Sequence, residues 1–309
     1  MPFDAHASGV YVIAATPFHP DGRIDTSSID RLTDFYLSCG VSGITALGVM
    51  GEAPKLDADE SVSIVRQSVK RAGNVPVIVG VTSPGFAPMR ALARESMEAG
   101  AAGVMIAPPS TLRTDDQIVT YYRQAREAIG EDVPFAVQDY PLGFSVVMTP
   151  SVLRRIVTEN PSCVMLKIED WPSLEKITAV RQLEKDGAKR RVSILTGNGG
   201  IFVDYELERG SDGAMTGYAF PDMLVELVQL SRSSARDKAH DLFDAHLPLM
   251  RYEQQPGVGL AVRKYILMKR GVLAHDAQRK PASTLSTTAR TEVDYLLSRL
   301  AKLDARARV

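Results

Sequence analysis

Short apolar runs alternate with amphipathic stretches along the first two thirds of the chain. Eight such runs, flanked by glycine, proline or polar residues, predict strands at 10–15, 43–47, 75–79, 104–107, 135–138, 163–167, 192–196 and 214–216. The stretches between them show helical periodicity, for example at 28–38, 58–71, 88–99, 114–129 and 150–159. Strands that are apolar throughout and alternate with helices are typical of a parallel sheet covered by helices.

The joints between the predicted helices and strands repeat a pattern of two glycines, at 40–43, 100–103 and 210–213. The first glycine suits the position after a helix, where φ is positive, and the second opens a buried strand. Two helix starts carry signals of their own. Asp57 with Glu60 makes a capping-box pattern, and Thr149 precedes a proline that fits the first helical position.

Eight strand–helix units within residues 1–220 predict an α/β fold, a (β/α)8 TIM barrel that carries the active site. An open doubly wound sheet is the alternative, but the turn at 48–51 lacks the GxGxxG phosphate fingerprint of that fold. Residues 221–309 are helical in pattern and predict the last barrel helix and a C-terminal helical bundle. Its helices are predicted at 223–233, 237–252, 259–270 and 287–305, with a loop at 274–286.

Composition narrows the class of protein but not its chemistry. The 309 residues contain 36 basic and 37 acidic side chains, for a formal net charge of -1, so we expect neither a nucleic acid nor a membrane surface as a partner. No window approaches the roughly 20 apolar residues of a membrane span. Cys39 and Cys163 lie too far apart in sequence to suggest a disulfide framework, which favours a reducing cytoplasm.

The active site of such a barrel lies at the carboxyl ends of its strands. These positions hold few ionisable residues and no histidine, because all five histidines fall in the tail, an early loop or the C-terminal helices. Catalytic metals need imidazole or clustered carboxylate ligands that converge on one point. We therefore predict no metal site.

Lys167 is the most informative residue at these ends, since it closes a strand that should be buried on both faces. Lysine is rarely fully buried without a reason. An apolar pocket disfavours an ammonium ion, and a neutral amine can attack a carbonyl carbon. A structural ion pair with Glu169 or Asp170 is the alternative interpretation.

Glu169 follows two residues after Lys167 and strengthens the catalytic interpretation. Strand alternation places Cys163, Met165, Lys167 and Glu169 on one face, and residues two apart are about 6–7 Å apart along a strand. An amine that forms an iminium beside a carboxylate that moves protons is sufficient for chemistry α to a carbonyl. An internal ion pair would instead keep the amine protonated, and spacing leaves both possibilities open.

Two glycine-containing turns join strands to helices, at 48–52 and at 197–200. Turns of this kind present free backbone N–H groups at the positive end of a helix and can hold a carboxylate or a phosphate. A tight turn that simply requires glycine is an equal alternative for each of them.

Together, Gly48-x-x-Gly51-Glu52, a lysine that ends strand six and Gly210-x-x-Gly213 resemble the dihydrodipicolinate synthase / N-acetylneuraminate lyase family. The resemblance implies a class I, Schiff-base lyase or dehydratase that acts on a small 2-oxo acid of the pyruvate type, usually as a homotetramer. It also implies that Lys167 forms the Schiff base. The backbone amides of Val49, Met50 and Met215 would hold the substrate carboxylate.

The chain departs from the pattern of the family's aldolases at several positions. Val49 and Met50 replace two threonines, and Gln138 stands where the catalytic tyrosine would be. Pro109 and Ser110 replace a tyrosine pair. Gly143 stands at the position of the arginine that binds the second substrate in dihydrodipicolinate synthase. A hydroxyl relay for aldol chemistry is thus lost, whereas dehydration needs only a carboxylate beside the iminium.

Residues 137–139 together with 167–169 resemble the L-2-keto-3-deoxyarabonate dehydratase branch of the family. We therefore predict that Lys167 forms the iminium and that Glu169 is the proton carrier. The turn that begins at Gly48 would hold the carboxylate, and Gln138 and Asn198 would orient the substrate hydroxyls. No cofactor is expected, because the iminium is the electron sink.

Two other functions remain open. The first is a class I pyruvate-dependent aldolase in which Tyr140 or water takes over the role of the absent tyrosine. The second is a non-catalytic barrel that binds 2-oxo acids.

Overall fold

The computed structural model describes residues 3–171 and 173–309, and within them eight parallel strands close into a barrel in sequential order. The strands are β1 (Gly9–Ile13), β2 (Gly43–Ala46), β3 (Val77–Gly80), β4 (Gly103–Ile106), β5 (Phe135–Asp139), β6 (Cys163–Ile168), β7 (Ser193–Thr196) and β8 (Gly213–Ala214). The predicted (β/α)8 barrel with a C-terminal helical extension is confirmed.

Helices surround the barrel and continue beyond its last strand. The helices are α1 (Thr26–Ser38), α2 (Ala58–Ala72), α3 (Phe86–Glu98), α4 (Asp115–Ile129), α5 (Pro141–Phe144), α6 (Pro150–Glu159), α7 (Ser173–Lys185), α8 (Val203–Glu208), α9 (Pro221–Arg232), α10 (Arg236–Glu253), α11 (Gly259–Lys269) and α12 (Thr287–Leu300). Short 3-10 turns at Val49–Gly51, Ala53–Lys55, Asn198–Gly200 and Ala305–Ala307 complete the chain. Helix α9 packs against β1, and α10 to α12 pack against one another.

The paired glycines behave as their pattern predicts. Gly40 and Gly210 follow helices with φ of +75° and +98°, a region that side chains disfavour. The second glycine of each pair admits a close neighbour instead. A Cβ at Gly43 would lie 2.2 Å from the ring of Tyr11, and one at Gly213 would lie 1.9 Å from the carbonyl oxygen of Gly9. These glycines therefore allow neighbouring groups of the barrel to pack closer than a side chain would permit.

The predicted helix starts also form. Asp57 accepts from the Glu60 amide while the Glu60 side chain accepts from the Asp57 amide, which is the full capping box. The Thr149 side chain accepts from the Val152 amide, with proline in the first turn of α6. Caps of this kind are worth about 1 kcal/mol each and fix where the helix begins.

The apolar core has two parts that the barrel wall separates. Inside the barrel, Tyr11, Ile78, Met105, Met165 and Leu195 form a compact cluster that Phe3 and Ala7 close at one end. The opposite face of each strand contacts the surrounding helices in the larger cluster. Side chains fill the barrel, so the open end lies at the carboxyl ends of the strands.

The predicted assignment of side chains to one face of β6 needs correction. Phe135 of β5 pairs with Cys163 and Ala136 pairs with Met165, so Val164 is an extra residue and β6 contains a bulge. Cys163 therefore packs in the outer cluster, whereas Met165 lies inside the barrel. The expectation that Cys163 shares a face with Met165, Lys167 and Glu169 is wrong for Cys163, and the alternation is regular only after the bulge.

A buried ion pair fixes the C-terminal helices to the barrel. Lys264 of α11 is fully buried, and its Nζ lies 2.6 Å from Glu52 Oε1 and donates to the carbonyl of Thr16 at 2.7 Å. Lys55 pairs with the other oxygen of Glu52 at 2.7 Å. Such a pair adds little net stability but is expensive to break, and it determines where α11 lies. None of the helices in the described ranges is both long and apolar enough to cross a membrane.

Candidate active site

A cavity of about 1220 Å³ opens at the carboxyl ends of the strands, with α10 and α11 forming its far wall. Seven of the eight predicted site residues line it: Val49, Met50, Gln138, Lys167, Glu169, Asn198 and Met215. Gly48 does not. It precedes Val49, the first residue of this turn to line the cavity, and its carbonyl accepts a hydrogen bond from the Gly51 amide at 3.0 Å.

Lys167 and Glu169 meet in this cavity. Lys167 pairs with Gln138 of β5 and Leu195 of β7, so both neighbouring strands determine where its side chain lies. Its Nζ is 2.9 Å from Glu169 Oε1, and the two residues are only 4% and 6% exposed. The amine and the carboxylate are thus in direct contact and almost shielded from solvent.

Three further groups hold the Glu169 carboxylate. Gln138 Nε2 donates to Oε1 at 2.7 Å, and the backbone amide of Asn198 donates to Oε2 at 2.9 Å. Gly197 lies directly against it, since a Cβ there would be 2.3 Å from Oε2. Gln138 and Asn198, which we predict to orient substrate hydroxyls, also contact Glu169, Gln138 through its side chain and Asn198 through its backbone amide.

A second buried charged group lies next to this carboxylate. Lys176 of α7 donates to Asp139 Oδ2 at 2.7 Å and also pairs with Asp170. Burial raises the pKa of Asp139 to about 7, and the charge of Lys176 opposes that rise. Because Asp170 follows Glu169 directly, this cluster fixes the segment that carries the carboxylate.

The turn after β2 presents two unoccupied donors. The amides of Gly51 and Glu52 bond to the carbonyls of Gly48 and Val49, whereas those of Val49 and Met50 donate to no other described group. Met215 differs from the prediction that its backbone amide holds the substrate carboxylate. Its amide donates to the Thr196 carbonyl at 2.7 Å within the barrel, so it is not free to bind a carboxylate and the residue contributes only its side chain.

Backbone strain is concentrated around the cavity. Leu47, Glu52 and Asn198 have φ of 55°, 53° and 48°, a left-handed conformation that residues with a Cβ seldom adopt. Leu47 and Glu52 bracket the turn with the free amides, and Asn198 places its own amide on Glu169. Such strain persists only where the surrounding structure enforces it, and it often marks functional sites.

Tyr140 also lines the cavity, at the start of α5. A Cβ at Gly143 would lie 2.5 Å from its ring, so the absence of a side chain at Gly143 makes room for the Tyr140 ring. Burial raises the pKa of Tyr140, and the nearby charge of Glu169 adds to the rise. The phenol therefore lies within the electric field of the Glu169 carboxylate.

The far wall holds polar residues that sequence reasoning missed. Gln254 of the segment after α10 donates to Asn198 Oδ1 at 2.8 Å, and Arg263 of α11 pairs with Glu253 and contacts Met50 Sδ. One signal was available: Arg263 and Lys264 interrupt an otherwise apolar helix, where unpaired cations would be costly. Across residues 3–171 and 173–309, no three histidine, cysteine or acidic side chains lie close enough together to hold a metal ion.

The chain matches known proteins along nearly its whole length. The model of the dihydrodipicolinate synthetase family matches residues 6–300. An L-2-keto-3-deoxyarabonate dehydratase from Azospirillum brasilense is 29% identical over 297 residues, which is 94% of each chain. A 4-hydroxy-tetrahydrodipicolinate synthase from Chlorobium chlorochromatii is 25% identical, over 96% of this chain and 98% of its own.

A solved structure is more similar still. The crystal structure of a dihydrodipicolinate synthase from Rhodopseudomonas palustris superposes with a TM-score of 0.95 at 64% identity, over 97% of this chain and 99% of its own. The family match and these relatives together show that the chain belongs to the dihydrodipicolinate synthetase family, a family of lyases.

Proposed function

We propose that the protein is a Schiff-base-forming dehydratase of 2-keto-3-deoxy sugar acids, with L-2-keto-3-deoxyarabonate as the reference substrate and 2-oxoglutarate semialdehyde as the product. The observation that carries this proposal is the buried contact of 2.9 Å between Lys167 Nζ and Glu169 Oε1. Gln138, which has no hydroxyl group, holds that carboxylate at 2.7 Å. The similarity to a dehydratase with this activity supports the same choice.

The first step needs a neutral amine, and the contact between Lys167 and Glu169 provides one. A proton passes from Nζ to Oε1, after which the amine adds to the C2 carbonyl of the substrate. Glu169 then returns this proton to the hydroxyl of the resulting carbinolamine, which leaves as water, so that the iminium forms and Glu169 is a carboxylate again. The ion pair is therefore compatible with catalysis, because the same carboxylate that stabilises the ammonium can accept its proton.

The second step is elimination. Glu169 takes a proton from C3, and the electron pair moves into the iminium to give an enamine. The enamine then expels the C4 hydroxyl, which leaves as water with a proton from Glu169, and the iminium reforms in conjugation with a C3–C4 double bond. The iminium nitrogen is the electron sink, so the proposal includes no cofactor.

The last steps convert this intermediate to an aldehyde. The double bond shifts from C3–C4 to C4–C5, as one proton is lost at C5 and one is gained at C3. The resulting enol tautomerises to the C5 aldehyde. Hydrolysis of the iminium uses the water that its formation released and frees Lys167, so the net change is loss of one water.

A class I pyruvate aldolase is the second candidate, and the position of Tyr140 favours it. The phenol lines the same cavity and lies within the field of Glu169. It would accept the hydroxyl proton that retro-aldol cleavage must remove while its own phenolic proton passes to Glu169 or to water. In this function the iminium would be formed in the same way, and only the bond broken afterwards would differ.

One assay separates these functions. The protein is incubated with a panel of 2-keto-3-deoxy acids, and the products are identified by mass spectrometry. A product lighter than its substrate by one water supports the dehydratase, whereas free pyruvate supports the aldolase. No turnover with any member, despite binding, would refute both and favour a barrel that only binds 2-oxo acids.

We also propose that the chain works as a homotetramer, as the family resemblance implies, and in the cytoplasm, as its two separated cysteines suggest. Sedimentation velocity of the purified protein tests the assembly. A tetramer mass is expected, and a monomer at micromolar concentration would contradict it.

A further inference from the structure

Arg263 is a cation inside the cavity that neither the proposed chemistry nor the family pattern uses. It projects from α11 into the far wall and is 7% exposed. A guanidinium carries five N–H donors, and a nearly buried one needs partners for most of them. The partners of Arg263 therefore indicate what it is there to bind.

The two edges of this guanidinium have different neighbours. Nε donates to Glu253, a buried carboxylate whose other oxygen accepts from the Ala219 amide at 3.4 Å. Nη1 contacts only the thioether sulfur of Met50. A thioether is a weak acceptor, so the edge that faces the cavity has no strong partner among the described residues.

The neighbour of that edge is the side chain of Met50, a residue of the turn with the free amides. Met50 contributes both the thioether that Arg263 touches and one of the two unoccupied backbone N–H groups, and Val49 contributes the other. In the aldolases of the family two threonines stand at these positions. Here the hydroxyls are lost, and a guanidinium contacts the Met50 side chain instead.

Electrostatics at the cavity are consistent with this arrangement. The charge of Arg263 lowers the pKa of Tyr140 while that of Glu169 raises it, so both charges act within one cavity. Burial raises the pKa of Glu253, and Arg263 opposes that rise. Arg263 is thus held by one anion and presents its other edge towards the site.

We propose that Arg263, together with the amides of Val49 and Met50, binds the carboxylate group of the 2-oxo acid substrate. A planar carboxylate fits the free edge of a guanidinium with two parallel hydrogen bonds, at the cost of displacing the Met50 side chain. This inference rests on the proposed function, because it names the group that holds the substrate of Lys167.

A purely structural role for Arg263 would predict different behaviour on mutation. If its only task were to neutralise Glu253, the double variant E253Q/R263M would restore whatever R263M loses, since no buried charge would remain unpaired. If Arg263 binds the substrate carboxylate, the double variant folds normally but stays defective in binding. The comparison therefore removes the ambiguity of a single variant that might simply unfold.

Isothermal calorimetry with pyruvate and with its neutral analogue pyruvamide tests the inference. Wild type, E253Q and the matched control R299M, an exposed arginine on α12, are expected to prefer pyruvate. In E253Q/R263M the affinity for pyruvate should fall by about tenfold or more, while that for pyruvamide changes little. Thermal unfolding of every variant checks that the fold is retained.

The outcomes separate this inference from the proposed function. A double variant that binds pyruvate as tightly as E253Q would overturn the role of Arg263, as would a wild type without any preference for pyruvate over pyruvamide. Borohydride treatment of the same samples reports separately on the iminium. Pyruvate binding that depends on Arg263 but yields no reduced adduct would refute the Schiff-base chemistry and leave the carboxylate site intact.

Discussion

Replacing Gly197 by alanine should separate Schiff-base formation from the steps that follow it. The added Cβ would stand 2.3 Å from Glu169 Oε2 and 2.5 Å from its Cδ. Non-bonded atoms are most stable at about 3.5 Å or more, so the carboxylate must move by about 1 Å. The contact of 2.9 Å with Lys167 Nζ would then exceed hydrogen-bonding distance.

The expected loss in kcat follows from this displacement of the carboxylate. A shift of about 1 Å in a catalytic group can cost about 100-fold in rate, so we expect kcat for dehydration of 2-keto-3-deoxyarabonate to fall by that order. The three atoms nearest the new methyl group all belong to Glu169, so Lys167 should keep its position and borohydride trapping with pyruvate should persist, with water accepting the Lys167 proton. Product formation is followed by mass spectrometry of the dehydrated acid.

Gly85 provides the matched control, because a Cβ there meets nothing within 4 Å and its backbone is extended. G85A should keep wild-type kcat and unfolding temperature. A G197A variant that turns over at the wild-type rate would refute the reasoning, since Glu169 would then not need its observed position.

The remaining predictions concern single charged groups. E169Q should still form the reducible pyruvate adduct, with water in place of Glu169 accepting the Lys167 proton, but should lose about 100-fold or more in dehydration rate. The exposed control E175Q should keep the wild-type rate. Burial raises the pKa of Glu206 to about 7 from 4.5, so the folded protein resists ionising it and loses stability as the pH rises between these values. E206Q should therefore raise the free energy of unfolding at pH 8 by up to about 3 kcal/mol and leave it unchanged at pH 4. Equal effects at both pH values would contradict the raised pKa of Glu206. K264M should lower the free energy of unfolding by about 3 kcal/mol in urea titrations, because it leaves Glu52 buried with a weaker partner. The double variant E52Q/K264M should recover much of that loss. No recovery would mean that Lys264 acts through packing alone.

The barrel could be predicted from the sequence because its signals are local. The paired glycines at 40–43 and 210–213 mark both the end of a helix and the start of a strand. The first of each pair is required by its positive φ and the second by a close contact within the barrel. Capping residues such as Asp57 act within one helical turn. The predicted and observed boundaries of the eight barrel strands therefore differ by no more than two residues.

The bulge in β6 could not be predicted, because it exists only in the pairing with β5. Alternation counted backwards from Lys167 placed Cys163 on the wrong face. The same counting forwards to Glu169 succeeded, since the strand is regular after the extra residue. A one-residue irregularity thus affects only the positions on its far side.

The contacts that Gln138 and Asn198 make with Glu169 escaped prediction for a different reason. Both positions were correctly placed at the mouth of the barrel, but strand position does not reveal which partner a polar side chain selects. The structure places the Gln138 amide group and the Asn198 backbone amide on Glu169. The wall formed by α10 and α11 escaped prediction because it depends on long-range packing, as the contact between Lys264 and Glu52 illustrates.

The most direct test of the account is reduction of the complex with pyruvate by borohydride, followed by mass mapping of the peptides. The account predicts one reduced adduct, on Lys167. The adduct should disappear in K167R and remain in K185R, which alters an exposed lysine of α7. An adduct on any other lysine, or a protein that turns over substrate without a trappable intermediate, would contradict the central claim.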